Sequence, residues 1–181
     1  MTRRTATRTT LVTLGLLSLA ACVVNLSFTM DKPGILLVSD TGQTSLAEKA
    51  IPVTLGDYSA ITDHKDSIKS LDLDYADITI TAVDPTNKTT TVTGTVTLRK
   101  QLTDPPANDI PVGNPGTTVS VAVGQKLHLA GTPALDAFLL AQLQTAGSFY
   151  VIINGTIDRA PANITVDVNL QASMGYDAGL F

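Results

Sequence analysis

The chain has 181 residues, of which 12 are Lys or Arg and 16 are Asp or Glu, so its net charge at pH 7 is −4. An acidic surface repels the phosphate backbone, which argues against binding to nucleic acid. The chain has one cysteine and no tryptophan. It therefore cannot form an internal disulfide, and its length suits one domain with a sizeable core.

The first 21 residues have the composition of an export signal. Three arginines and no acidic residue open the chain, and an apolar run over 11–21 follows them. That run is too short to span a bilayer. We predict a signal peptide over residues 1–21 and a single folded domain over residues 22–181. Without the leader, 9 basic and 16 acidic residues remain, a net charge of −7.

The end of the leader, Leu19-Ala20-Ala21-Cys22, resembles the lipobox of bacterial lipoproteins. The resemblance implies cleavage between Ala21 and Cys22, acyl chains on the Cys22 sulfur and usually one more on the new amino group. In that family an aspartate directly after the cysteine favours retention in the inner membrane. Val23 holds that position here, so the resemblance favours the periplasmic leaflet of the outer membrane if the host is diderm.

Alternation of apolar and polar residues, the period of a strand with one buried face, runs through most of the remaining chain. The first example puts Val24, Leu26, Phe28 and Met30 on one face. The candidate strands are 24–30, 35–38, 51–55, 71–80, 91–98, 119–123, 127–129, 149–153 and 163–170. If Val24 is already buried, one residue separates the fold from the lipid on Cys22, and the domain must sit against the headgroups.

Within 71–80 the apolar positions change parity, from Leu71 and Tyr75 to Ile78. A β-bulge near Ala76 and Asp77 would cause this change, as would a break between two strands. The odd-numbered residues before the change, Tyr75 included, are predicted to face the core.

One helix interrupts the strands. Thr132 can cap it, Pro133 suits its first turn, and Gly147 is a stop signal. Its apolar stripe is Leu135, Phe138, Leu139 and Leu143. We predict a helix over 133–145 that closes part of its own domain. The predicted fold is mainly β, an antiparallel two-sheet sandwich of immunoglobulin-like architecture with this amphipathic helix, and the alternative is a small β-barrel capped by the helix.

The segment from Gln101 to Gly116 has four prolines and few residues able to pack. We predict a long exposed loop, and loops of this kind often carry binding sites. Its candidate contact residues are Asp104, Pro105, Pro106, Asn108, Asp109, Pro111 and Asn114. The competing interpretation is a connection between the sheets without a binding role.

Residues that could carry chemistry are few. Of the two histidines, His64 lies in a polar turn, and His128 is predicted on an exposed strand face without a recognisable partner. Asp72 and Asp74 are predicted on one solvated strand face, where nothing separates their pKa values into acid and base. The chain has no nucleophile elbow, phosphate-binding glycine loop or zinc spacing. We predict no catalytic residue, no metal and no cofactor.

These observations favour a membrane-anchored lipoprotein of the bacterial envelope, acting as a non-enzymatic structural or protein-interaction module. Its expected partners are the bilayer, through acylated Cys22, and another envelope protein, with no nucleic acid. The alternative is a carrier or chaperone, which would need a connected apolar cavity of roughly 300 Å³ or more. A hydrolase, the third candidate, would need His64 or His128 within hydrogen-bond reach of a carboxylate.

Overall fold

A computed structural model describes residues 23–39, 42–145 and 147–179. These residues form nine strands and two α-helices. In chain order the elements are β1 (Val23–Val38), β2 (Lys49–Thr54), α1 (Ser59–Thr62), β3 (Ile68–Val83), β4 (Thr91–Arg99), β5 (Ile110–Pro111), β6 (Thr117–Ser120), β7 (Lys126–Ala130), α2 (Pro133–Gln144), β8 (Ser148–Ile157) and β9 (Asn163–Asp177). The predicted leader, the predicted cleavage site at Ala21 and the predicted lipidation site Cys22 lie outside the described residues.

The strands form two antiparallel sheets. The first sheet has the order β1-β9-β3-β7, and the second has the order β2-β8-β4, with β5 and β6 both paired to β4. The structure confirms the predicted mainly-β sandwich of two antiparallel sheets. The sheets are not closed into a barrel, so the alternative is wrong. No two consecutive strands are neighbours in the first sheet, an order that periodicity alone does not specify.

Strand β1 starts at Val23, as the alternation predicted, but its first apolar residues are not buried. Met30 is fully buried, whereas Val24 and Leu26 are 39% and 36% exposed. These even-numbered side chains share the inward face of the strand. β1 is an edge strand of the first sheet, and the inward face at its start is only partly covered. The prediction that Val24 is buried is therefore wrong.

Strand β3 is one continuous strand whose pairing with β9 has three register shifts, and the middle one changes the parity of its buried residues. This middle shift lies between Leu73 and Tyr75, so its bulge is at Asp74, slightly before the predicted place. Buried positions change from Leu71 and Leu73 to Ala76, Ile78 and Ile80 across it. Tyr75 consequently faces outward rather than toward the core, which corrects the prediction for its ring.

The predicted helix is α2, and it closes its own domain. Leu135 and Leu139 are fully buried, and the ring of Phe138 packs edge-on against Phe149 at 5.9 Å between centroids. Thr132 stands at the N-cap position, although its hydroxyl makes no capping hydrogen bond. The Asp136 Oδ1 accepts a hydrogen bond from the Leu73 N–H at 3.0 Å. The helix therefore contacts β3 at a position just beyond the part of β3 that pairs with β7.

The interior between the sheets is almost filled. The void there has a volume of about 40 Å³ and is lined mainly by aliphatic side chains. Across the described ranges, no helix is long and apolar enough to cross a bilayer.

Candidate functional site

The predicted interaction loop, residues 101–116, follows directly after β4. Most of its predicted contact residues are exposed, and Asp104 is half-buried. The exposed ones are Pro105, Pro106, Asn108, Pro111 and Asn114. Beside them Leu102 presents an apolar side chain that is 52% exposed. The loop therefore offers an apolar and proline-rich surface to solvent.

The loop is folded rather than slack. The Asp104 Oδ2 accepts the Gln101 N–H at 3.0 Å, and Pro106–Asn108 form a 3-10 turn. Ile110–Pro111 then pair with the end of β4. Backbone hydrogen bonds of this kind hold a loop in one conformation, which reduces the entropy that a partner must remove on binding.

Asp109 anchors the loop from inside, which corrects its assignment as a contact residue. Its side chain is 7% exposed. The Arg99 Nε donates to the Asp109 Oδ1 at 2.7 Å, and the Arg99 Nη2 donates to the Oδ2 at 2.8 Å. The Thr97 hydroxyl donates to the same Oδ2 at 3.1 Å. Asp109 is thus fully occupied within the protein and is not available to a partner.

Arg99 completes the anchor with a second carboxylate. Its Nη1 lies 3.0 Å from the Glu48 Oε1, in the segment just before β2. The hydrogen bonds with Asp109, and then with Glu48, raise the pKa of Arg99 far above its ordinary value. Those same bonds from Arg99 lower the pKa of Asp109, against the opposing effect of burial. A bidentate guanidinium–carboxylate pair fixes both distance and orientation.

Sequence reasoning missed Arg99 because its strand pattern assigns it to the solvated face together with the threonines of β4. Its partners lie 10 and 51 residues away along the chain. A charged residue next to buried Leu98, at the end of a strand and before an acidic loop, is the only local signal.

A second feature is a groove of about 620 Å³ on the outer face of the first sheet. Its lining is mostly polar and includes Asp31, Tyr75, Asp77, Lys126, Asp167 and Asn169. Much of this lining is already paired within the protein. Asn169 donates to Asp31, and the Gly34 N–H donates to the Asp167 Oδ1 at 2.8 Å.

Asp77 binds two basic side chains across from it on β7. The Lys126 Nζ lies 3.0 Å from one carboxylate oxygen and the His128 Nδ1 lies 2.7 Å from the other. Burial opposes ionisation, but the hydrogen bonds from His128 and Lys126 outweigh it and lower the pKa of Asp77. The prediction that His128 has no partner is wrong, because the register that pairs it with Asp77 is not visible in the sequence.

The His128–Asp77 pair meets one geometric requirement of a hydrolase. A hydrolytic site also needs a nucleophile in contact with the imidazole. Within 23–39, 42–145 and 147–179, no serine, threonine or cysteine side chain hydrogen-bonds to His128. The pair by itself supports no acyl-transfer chemistry.

The remaining candidates serve local structure. The ring of His64 stacks on that of Tyr176 at 3.8 Å between centroids. Asp74 lies at the β3 bulge, where its Oδ1 accepts the Ser173 hydroxyl at 2.9 Å. In the part of the chain that the structure describes, no three His, Cys, Asp or Glu side chains gather as metal ligands.

Comparison with known proteins adds no family. No family model matches the chain, and no curated protein matches it. Among solved structures, a decameric BFDV capsid protein is 15% identical, with 86% of this chain and 99% of that chain covered and a TM-score of 0.48. Desmodium yellow mottle tymovirus is 8% identical, with 97% and 99% covered and a TM-score of 0.36. Empty-head turnip yellow mosaic virus is 11% identical, with 98% and 93% covered and a TM-score of 0.36.

Proposed function

We propose that this chain is a lipid-anchored protein of the bacterial envelope that binds another envelope protein through the loop over 101–116. The anchor is Cys22, and the sandwich acts as a rigid, non-enzymatic support for the loop. The observation that carries the proposal is the buried Arg99–Asp109 pair, which holds an exposed, proline-rich loop in one conformation.

The filled interior favours this role over that of a carrier. A carrier for an apolar ligand needs a cavity of a few hundred Å³, and the void between the sheets is about 40 Å³. A ligand of even ten carbon atoms would have to separate the two sheets. The interior thus supports a module that acts through its surface.

The loop and the start of β1, which directly follows the proposed anchor, lie at the same end of the molecule. Arg99, just before the loop, is opposite Tyr150 near the start of β8, into which α2 leads. Val24, two residues after the anchor, is opposite Tyr176, which stacks on His64 just after α1. We call this region the helix-bearing end. A partner bound to the loop would therefore lie close to the membrane surface.

Site-specific photocrosslinking in the native envelope tests the proposal. A photoreactive amino acid at Leu102 should give a discrete crosslinked product, and one at Val123, also exposed but on the turn before β7, should give none. Replacing Asp109 with alanine should release the loop and abolish the product. Identical products from Leu102 and Val123, or none from either, would contradict the proposed role of the loop.

A further inference from the structure

The start of β1 carries apolar side chains that are exposed although the strand is fully paired. Val23, Val24 and Leu26 face Asp177, Tyr176 and Met174 of β9. Val23 is 56% exposed, and its two apolar neighbours are each more than a third exposed. Val24 and Leu26 share the inward face of the strand, which is only partly covered here, whereas Val23 lies on the opposite face with Asn25. Exposed apolar groups in an ordered element mark a contact surface when they lie together.

Aromatic and basic residues lie at the same end of the neighbouring strands β9 and β3. Tyr176, opposite Val24, is half-buried and stacks on His64. Lys65 and Lys69 are exposed on either side of Ile68, which also pairs with Tyr176. Tyrosine and lysine suit the boundary between headgroups and acyl chains, because each combines an apolar body with a polar tip. Asp63 and Asp66, on either side of His64 and Lys65, are exposed, and Asp177 is half-buried opposite Val23.

The position of the chain before Val23 identifies the occupant. Val23 directly follows Cys22, the proposed anchor. One residue spans at most about 3.6 Å. If Cys22 carries acyl chains, as the proposed function requires, Val23 and its neighbours cannot leave the headgroup region.

We propose that Val24, Leu26 and Tyr176 form a bilayer-contact face, on which the helix-bearing end rests at the boundary of headgroups and acyl chains. This inference rests on the proposed anchoring through Cys22 and adds an orientation to it. Leu36 lies ten residues further along β1, about 30 Å away at the rise of a strand. The far end of the first sheet thus points away from the membrane.

Fluorescence quenching with a matched pair of positions tests the orientation. Leu26→Cys and Leu36→Cys both replace exposed residues of β1, so neither disturbs the core. The full chain is expressed with its leader, labelled with a thiol-reactive fluorophore and reconstituted into phosphatidylcholine vesicles that contain nitroxide-labelled lipid. We expect a blue shift and a loss of fluorescence for the label at 26, and neither change for the label at 36.

The chain without an added cysteine shows whether a negative result contradicts the contact face or the proposed lipid anchor. If it takes up the label and does not float with vesicles, the sulfur of Cys22 is free and the proposed anchoring is wrong. If it excludes the label and floats, but the label at 26 is no more quenched than that at 36, the contact face alone is overturned. A label at 26 that is already shielded without vesicles, in a concentration-dependent manner, would assign the surface to a second copy of the chain and also overturn it.

Discussion

The Arg99 guanidinium binds Asp109 through two parallel hydrogen bonds of 2.7 and 2.8 Å and joins the 101–116 loop to the end of β4. Both side chains are almost completely buried. A partly exposed Glu48 adds a third contact from the segment before β2. One arginine thus connects three segments that are distant in sequence.

Removing the Asp109 carboxylate should destabilise the fold strongly. Asp109→Ala leaves Arg99 buried with Glu48 as its remaining carboxylate, and we expect the free energy of unfolding to fall by about 3 kcal/mol. Glu48→Ala removes a partly exposed charge and should lower it by less than about 1 kcal/mol. Urea denaturation of both variants measures the difference. Equal losses would show that the buried pair does not carry the stabilisation.

The Asp158 carboxylate should make the fold less stable at acidic pH than at neutral pH. Its carboxylate accepts hydrogen bonds from the backbone N–H groups of Thr90 and Thr91 and from the hydroxyls of Thr89 and Thr90, at distances of 2.6 to 2.9 Å. These bonds, above all that from the Thr90 hydroxyl, hold the pKa of Asp158 far below its ordinary value. Since the pKa is lowered on folding, the stabilisation is present above the ordinary aspartate pKa of about 3.9 and is lost as the pH falls below it.

The Asp158→Asn variant tests this linkage. We expect a lower Tm than that of the unsubstituted chain at pH 7, and a difference that narrows as the pH falls below about 4. Asp66→Asn, at an exposed carboxylate, is the control and should leave the Tm unchanged. A difference for Asp158→Asn that stays constant from pH 7 to pH 3 would disprove the electrostatic origin.

Asp136 should change the stability of the fold with pH in the direction opposite to Asp158. Burial raises the pKa of Asp136, the Leu73 N–H opposes that rise, and the nearby charges of Asp72 and Asp74 add to it. Because the pKa is raised on folding, the charged form destabilises the fold at neutral pH, and stability recovers as the pH falls through the folded pKa.

An asparagine at position 136 keeps the acceptor for Leu73 and removes the charge. Asp136→Asn should therefore raise the free energy of unfolding at pH 7 slightly, by up to about 1 kcal/mol. Asp136→Ala, which leaves the Leu73 N–H without its acceptor, should lower it by about 1–2 kcal/mol. Thermal unfolding at pH 7 and pH 4 measures both. If the asparagine variant were as unstable as the alanine variant, the carboxylate charge would be required.

Two glycines that face each other across β4 and β8 should respond oppositely to alanine. A Cβ on Gly94 would lie 3.7 Å from the Leu127 Cδ2, in ordinary contact beside the interior void, whereas one on Gly155 would lie 2.6 Å from the Thr93 carbonyl oxygen. Gly94→Ala should stabilise the fold by about 0.5–1 kcal/mol. Gly155→Ala should destabilise it, because backbone must move. The urea concentrations at the unfolding midpoints of the two variants measure these effects. A Gly94→Ala variant less stable than the unsubstituted chain would mean that the void cannot accept a methyl group.

Local patterns predicted much of the fold. Alternation placed most strands and the apolar stripe placed α2, because periodicity reports directly which side of an element is buried. The burial of Val24 was mispredicted because alternation shows which face is inward and not how far the opposite layer extends. The partners of Arg99 and His128 depend on strand register and on loop closure. Strand register and loop closure bring together residues that are far apart along the chain, so the residues next to Arg99 and His128 do not identify these partners.

The central claim, that a lipid on Cys22 holds the sandwich directly at a membrane, is tested by intact-mass spectrometry of the protein from its native envelope. The account predicts a chain that begins at Cys22 and carries acyl chains, recovered with the membrane fraction. A chain with its leader still attached, or one that begins at Cys22 with a free thiol, would contradict it.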